Sequence, residues 1–287
     1  MEREEAVQAH DLEGRTFLVT GANSGIGRAT ALALVGRGGR VHLACRSAEK
    51  AAPVLDEAQA VDGPGSAAFL ELDLADLASV RRASAAFLGT GEPLHVLVNN
   101  AGVAGQRGQT AQGFELAFGV NHLGHFLLTK LLLERLRAGR PARVVTVSSV
   151  GHRQARGIDF EAVRRPSRSF TGLPEYAVSK LCNVLFTQEL ARREAGTGVS
   201  TYALHPGAIG SSIWRRVPWP VEPVMKLFMR SSEEGAATSL YCATAPELES
   251  VSGRYYDHSR EKAPSKVATP ALGAELWARS EEWTAQT

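Results

Sequence analysis

Short apolar or β-branched runs recur along the chain at Thr16–Val19, Arg40–Ala44, Ala67–Glu71, His95–Val98, Arg143–Ser148, Val199–Leu204 and Gly253–Tyr256. Parallel strands covered on both faces read as continuous runs of this kind, and the segments between them carry helical periodicity. The alternation predicts βαβ units, hence an α/β fold built on a doubly wound parallel sheet. Two helical stretches stand out. Phe118 to Leu136 contains Asn121 and a dense leucine pattern, and Tyr176 to Arg193 carries Leu181, Val184, Leu185 and Leu190 at spacings near three and four. Both are expected to be core helices with potential for subunit contacts, as in a homodimer or homotetramer. The connection Gly151–Glu175, with its Pro, Arg and Ser residues, is expected to be largely loop.

Ligands on such sheets bind outside the carboxyl ends of the strands, near the switch in strand order. The residues that follow each run are therefore the informative ones. After the first comes Gly21-Ala22-Asn23-Ser24-Gly25-Ile26-Gly27, leading into a helix expected from Arg28 to Arg37. Glycine tolerates φ > 0 and offers no Cβ to a close neighbour. A helix N-terminus adds unpaired N–H groups and partial positive charge, a setting suited to a pyrophosphate. The spacing is Gly-x-x-x-Gly-x-Gly rather than the commoner Gly-x-Gly-x-x-Gly. Later runs end in Cys45-Arg46-Ser47, Asp73-Leu74, Asn99-Asn100-Ala101-Gly102, Ser148-Ser149 and His205-Pro206-Gly207, so one rim of the sheet is chemically equipped.

Composition narrows the classes. With 287 residues and 44% hydrophobic content the chain can bury one large core, and it is read as a single domain over 1–287. A formal charge of +2, with Lys and Arg scattered among Asp and Glu, argues against nucleic acid as a partner. Cys45, Cys182 and Cys242 lie far apart, which argues against a zinc site or a disulfide framework and fits a reducing, cytoplasmic setting. No uninterrupted apolar run reaches the length of a membrane span, and Glu2, Glu4 and Glu5 stand where a signal peptide would be basic. The abundance of Ala, Gly and Arg is that of a GC-rich bacterial genome.

Tyr176-Ala177-Val178-Ser179-Lys180 places a phenol and an ammonium one helical turn apart on one face. A phenol ordinarily ionises near pH 10, and a neighbouring ammonium stabilises its phenolate. Such a pair is weak by itself and gains weight in company. The glycine turn, Asn99-Asn100-Ala101-Gly102, Asn121, Ser149, Tyr176/Lys180 and Pro206-Gly207 occur in the order found in the short-chain dehydrogenase/reductase family, which the chain resembles from about Leu12 to about Tyr256. Gly-Ala-Asn-Ser-Gly-Ile-Gly, Ala-Cys-Arg-Ser and Asn-His-Leu-Gly-His-Phe resemble the retinol dehydrogenase and WW-domain oxidoreductase branch and its bacterial relatives.

The resemblance implies a Rossmann-type sheet and a role for each matched residue. Tyr176 would be the general acid for carbonyl reduction and the base for alcohol oxidation. Lys180 would lower its pKa and hold the nicotinamide ribose; Ser149 would hydrogen-bond the substrate oxygen. Asn121 would bind a water linking Lys180 to solvent. Ser149 is favoured over Ser148 because it lies two residues before Gly151, with Ser148 an ordinary strand-end residue. Asp73, with Leu74, would meet the adenine, while Asn100, Ala101 and Gly102 would line the adenosine ribose. Pro206, Gly207, Ile209 and Ser211 would hold the nicotinamide carboxamide, Ser211 standing in place of the family threonine.

Cofactor choice is read at the end of the second strand. An acid there would bind the ribose hydroxyls and repel a phosphate; this chain has Arg46, with Arg28 just beyond the glycine turn. A guanidinium suits a 2′-phosphate, so NADP(H) is favoured over NAD(H), with a solvated Arg46 as the bland alternative. His122, His125 and His205 lack metal-site spacing, so no metal is expected, and His152, near Ser149, is read either as a substrate contact or, more blandly, as a solvent-exposed loop residue. Residues 211–231, with Trp214 as a substrate contact, read as a lid over a small apolar carbonyl or alcohol substrate, or alternatively as a dimer contact. A non-catalytic NADP(H)-binding sensor or scaffold protein is the other functional class; its usual symptom, a damaged Tyr, Lys or Ser, is missing here.

Overall fold

The computed structural model describes residues 10–207 and 231–285. The expectations for Ile209, Ser211, Trp214 and, apart from Ser231, the segment 211–231 lie outside the described residues. Eight strands form one sheet in the order β3-β2-β1-β4-β5-β6-β7-β8. These are β1 Thr16–Thr20, β2 Arg40–Cys45, β3 Ser66–Glu71, β4 Val96–Asn99, β5 Ala142–Val147, β6 Val199–His205, β7 Arg254–Asp257 and β8 Arg260–Lys262. All pairings are parallel except β7 with β8. The order reverses between β1 and β4, so a crevice opens at their carboxyl ends.

The uninterrupted apolar runs serve two cores at once, because successive side chains of a strand point to opposite faces. Leu18, Leu97 and Val144 enter one core, while Phe17, Val19, Val96, Val98, Val145 and Val147 enter the other. The first core packs under α3 (Leu77–Gly89), α4 (Leu116–Ala138), α5 (Leu173–Arg193) and α7 (Pro270–Ala285). Helices α1 (Gly25–Gly36), α2 (Ala48–Gln59) and α6 (Ser232–Thr244) cover the other face.

Helix α1 starts three residues before the expected Arg28, so Gly25, Ile26 and Gly27 belong to its first turn. Helix α4 is interrupted by a π-helical turn over Gly119–Leu123, and this irregularity carries Asn121. By length and composition Leu116–Ala138 could cross a membrane, yet 83% of its most apolar window is buried inside the fold. Helix α7 packs on part of α4 and α5. Trp277 packs edge-on against Phe126 at 4.9 Å and stacks near Phe186 at 6.0 Å, while Trp283 meets Phe114 at 5.3 Å and Phe118 at 5.8 Å. The connection before α5 is irregular as expected, apart from short 3₁₀ turns at Val150–Gln154 and Ala162–Arg164.

Candidate active site

The glycine turn closes for reasons that differ at each position. Gly21 and Gly25 adopt φ of +67° and +56°, which side-chain-bearing residues avoid. At Gly27 the constraint is space: a Cβ there would lie 2.4 Å from the Gly21 carbonyl oxygen and 2.5 Å from Asn100 Nδ2. Asn100 is held in turn by β1. Its Nδ2 donates to the Thr20 carbonyl at 2.7 Å, and the Asn100 and Ala101 N–H groups both donate to Thr20 Oγ1 at 2.9 Å.

A cleft of about 710 Å³ runs along the carboxyl ends of β1 to β4. Gly21, Asn23, Ser24, Gly25, Ile26 and Gly27 form one wall, Arg46 another, and Asp73, Leu74, Asn100, Ala101 and Gly102 the rest. The first turn of α1 therefore borders the cleft, and it contains no acidic residue. A dinucleotide fits this cradle, since a Cβ would obstruct the turn at the place where backbone must approach a ligand closely. The Asp73 carboxylate accepts from the Ala75 N–H at 2.9 Å, which fixes its side chain at the cleft edge.

Basic groups at the far end of the cleft are distributed differently from expectation. Arg46 is exposed and, among the described residues, its guanidinium makes no hydrogen bond or ion pair. Arg28 is instead paired through both Nε and Nη2 with the Glu57 carboxylate, so its charge is already matched. Lys50 lines the cleft beside Arg46, a contribution that sequence reading missed. It sits in the first turn of α2, whose N-cap is the Ser47 hydroxyl; the Ser-x-x-Lys spacing was the available signal.

Tyr176, Lys180, Ser149 and Asn121 meet where α5 crosses the end of β5. Gly172, at φ +66°, starts α5 and Pro174 follows in its first turn. The Lys180 ammonium lies 5.6 Å from the Tyr176 ring centroid and donates to the Val147 carbonyl at 2.8 Å. Ser148 is buried and donates to the Lys180 carbonyl at 2.8 Å, a strap between β5 and α5. Ser149 is half-buried, accepts from the Gly151 N–H at 3.1 Å, and hydrogen-bonds the Tyr176 side chain. The two adjacent serines thus have separate tasks, and Ser149 is the one that touches the phenol.

The electrostatics correct one expectation. Burial pushes the Tyr176 phenol up, opposed by the Ser149 hydrogen bond, whereas a lowered value was expected from Lys180. Lys180 is itself fully buried, and desolvation pushes its ammonium down to about 7. At neutral pH it carries only part of a positive charge, too little to offset the desolvation of a phenolate. The phenol is consequently held protonated, the form a general acid needs.

Asn121 is held on three sides by protein groups. Its amide accepts from the Val103 N–H at 2.8 Å and donates to the Val103 carbonyl at 3.0 Å and Ser179 Oγ at 2.9 Å. Both amide protons are engaged by protein groups, so the side chain braces the β4 loop against α5. Gly102 fits between them: a Cβ there would stand 3.1 Å from Asn121 Oδ1 and 3.5 Å from Lys180 Nζ. Pro206 and Gly207 follow β6, Gly207 at φ +93°.

His152, expected in solvent, is buried completely. Its Nε2 accepts from the Ser265 N–H at 3.0 Å, so Nδ1 carries the proton and donates to the Ser149 carbonyl at 2.5 Å. The ring locks the Ser149 turn to a segment 113 residues away, a partnership with no local signature. Among the described residues, no group of three or more His, Cys, Asp or Glu side chains is arranged to hold a metal ion.

Comparison with known proteins gives consistent matches. Residues 15–219 match the family of the short chain dehydrogenases. Retinol dehydrogenase 11 of Mus musculus is 46% identical over 251 residues, covering 85% of this chain and 78% of the relative. Dehydrogenase/reductase SDR family member 13 of Bos taurus is 44% identical over 276 residues, covering 94% and 73%. Among solved structures, an uncharacterized protein from Mycobacterium paratuberculosis superposes with a TM-score of 0.76 at 33% identity, covering 98% of this chain and 97% of that one.

Proposed function

The chain belongs to the short chain dehydrogenase family, in its retinol dehydrogenase-like branch, and we propose that it uses NADP(H) to interconvert an apolar alcohol with the corresponding ketone or aldehyde. Oxidoreduction at a CH–OH group with NAD(P) is the family chemistry. The observation that carries the reading is the meeting of Tyr176, Ser149 and Lys180 at the open end of β5, beside a cleft shaped by the glycine turn.

In this reading the bound dinucleotide supplies or receives the hydride. Ser149, fixed by Gly151 and by His152 behind its carbonyl, donates a hydrogen bond to the substrate oxygen. Tyr176, held neutral by burial, gives its phenolic proton to the alkoxide that develops on that oxygen. Lys180, close to half-charged at neutral pH, is the stronger acid of the pair, so return of a proton toward the phenolate runs downhill. Asn121 keeps Val103 and α5 in register, which holds the ribose side of the cleft against Lys180. Oxidation runs the same proton path backwards.

Preference for NADP(H) is supported by Arg46, whose guanidinium has no partner among the described residues, and by Lys50 next to it, two cations bordering the cleft at the end of β2. An apolar substrate is supported by exposed apolar residues close in sequence to Ser149 and Tyr176. Val150, Phe170 and Leu173 are exposed at 44%, 85% and 38%; Val150 follows Ser149, and Leu173 is one turn before Tyr176. The buried free thiols of Cys45, Cys182 and Cys242 support a reducing compartment.

The test is steady-state kinetics with NADP+ and NAD+ for wild type and Arg46→Ala. Loss of one charge-assisted contact, worth ~1.5–3 kcal/mol, should raise the KM for NADP+ by roughly 10- to 150-fold and leave NAD+ nearly unchanged. Equal effects on both cofactors would contradict the assignment.

A further inference from the structure

A second buried chain of hydrogen bonds runs behind the cleft and is not used by the proton path above. Thr20 Oγ1 accepts from the backbone N–H groups of Asn100 and Ala101, each at 2.9 Å, which fills both of its lone pairs. Its own proton has two candidate acceptors, His125 Nε2 at 2.8 Å and the Val98 carbonyl at 3.4 Å. The shorter contact takes the hydroxyl proton. Nε2 is then an acceptor, the neutral ring carries its proton on Nδ1, and that N–H donates to the Asn121 carbonyl at 3.1 Å. Thr20, His125 and Asn121 are all within 1% of complete burial. The polarity is therefore continuous, from the Asn100 and Ala101 amides through Thr20 and His125 to the π-helical turn that holds Asn121.

The ends of this chain belong to different parts of the site. Asn100 and Ala101 line the cleft against the glycine turn, and Asn121 braces Val103 and Ser179 next to Lys180. We propose that His125 is a positioning residue that couples the dinucleotide cradle to the Tyr176/Lys180 end of the site; this rests on reading the cleft as an NADP(H) site. Burial keeps the ring neutral, its pKa pushed down to about 4, so the coupling persists through the physiological range. The imidazole has a nitrogen at each end and spans the gap between β1 and α4 as one rigid plane. An aliphatic residue of similar volume would fill the space and break both contacts.

Two substitutions separate the ends. Asn at 125 can place its amide N–H near the position of Nδ1, and Gln can reach the position of Nε2. The full chain is compared as wild type, His125→Gln, His125→Asn and His125→Leu. NADPH dissociation constants are read by nucleotide fluorescence, decanal reduction at saturating NADPH by absorbance, and folding by thermal melt. A lost buried partner costs roughly 5- to 150-fold in the step it supports. Gln should bind NADPH within about 3-fold of wild type but reduce decanal at least about 5-fold more slowly. Asn should show the opposite split, and Leu both losses. Because a variant can fail to fold, nitrogen-15 NMR of the wild-type imidazoles supplies an independent reading: His125 must appear as the neutral Nδ1–H form.

An Nε2–H or charged His125 overturns the proposal. So does a set of variants that lose thermal stability while keeping wild-type dissociation constants and turnover, which is the behaviour of a core histidine. Wild type that binds no NADPH overturns the functional reading itself, and the two failures are thereby distinguished.

Discussion

Replacing Lys180 with Met should make the protein more stable and inactive, and the stability gain should depend on pH in a fixed direction. Lys180 Nζ is fully buried, and its hydrogen bond goes to the Val147 carbonyl, which also accepts from Asn183 Nδ2 at 3.1 Å. Met has nearly the same length, and it leaves that carbonyl with its Asn183 partner. Burial moves the ammonium from 10.5 to about 7, a displacement worth roughly 5 kcal/mol at ~1.4 kcal/mol per pH unit. Between pH 7 and 10.5 the unfolded chain binds a proton that the folded chain does not, so wild-type stability rises with pH across that window. Below pH 7 both forms are charged and the full penalty applies. Structural relaxation makes roughly 5 kcal/mol an upper bound, and at about 2–4 °C per kcal/mol the gain expected at pH 6 is at most about 10–20 °C. Thermal melts of both proteins at pH 6, 8 and 10 provide the assay. The gap should be widest at pH 6 and shrink toward pH 10. A lower Tm for Lys180→Met at pH 6, or a gap that ignores pH, would refute the claim that this ammonium is held desolvated.

Other expectations concern the cradle and the helix that closes the core. Gly27→Ala forces a Cβ against the Gly21 backbone, a strain of ~1–3 kcal/mol that should weaken NADPH binding by about 5- to 150-fold in a fluorescence titration. Gly89→Ala, whose Cβ would meet nothing within 4 Å, is the matched control and should bind as wild type. Trp277→Ala empties a site bounded by Phe126 at 4.9 Å and the Arg193 guanidinium at 4.4 Å, and should cost ~3–5 kcal/mol in a urea melt. A cost below about 1 kcal/mol would mean that α7 does not seal the first core.

Much of this architecture was legible because it rests on local pattern. The runs at Thr16–Val19 and Arg143–Ser148 needed both faces covered, and their residues do divide between the two cores. The i, i+4 spacing of Tyr176 and Lys180 set their proximity before any tertiary contact was known. What escaped notice depends on partners distant in sequence. Arg28 was expected near phosphate, but Glu57 on α2 neutralises it. His152 was expected in solvent, but Ser265 and Ser149 enclose it. The helix Pro270–Ala285 follows the stretch in which motifs are dense, and only folding shows that its tryptophans cover α4 and α5. The Tyr176 phenol was misjudged because spacing reports a neighbouring charge, while burial decides whether that charge exists.

The central claim is that Tyr176 transfers the proton while the cleft binds the cofactor independently, and Tyr176→Phe measured for both properties tests it most directly. The Phe ring retains the packing and the face toward Lys180, so NADPH should bind within about 3-fold of wild type. Single-turnover reduction of an apolar aldehyde should slow by roughly 10²- to 10⁴-fold, the usual worth of a positioned general acid. A variant that binds NADPH normally and turns over near the wild-type rate would contradict the account.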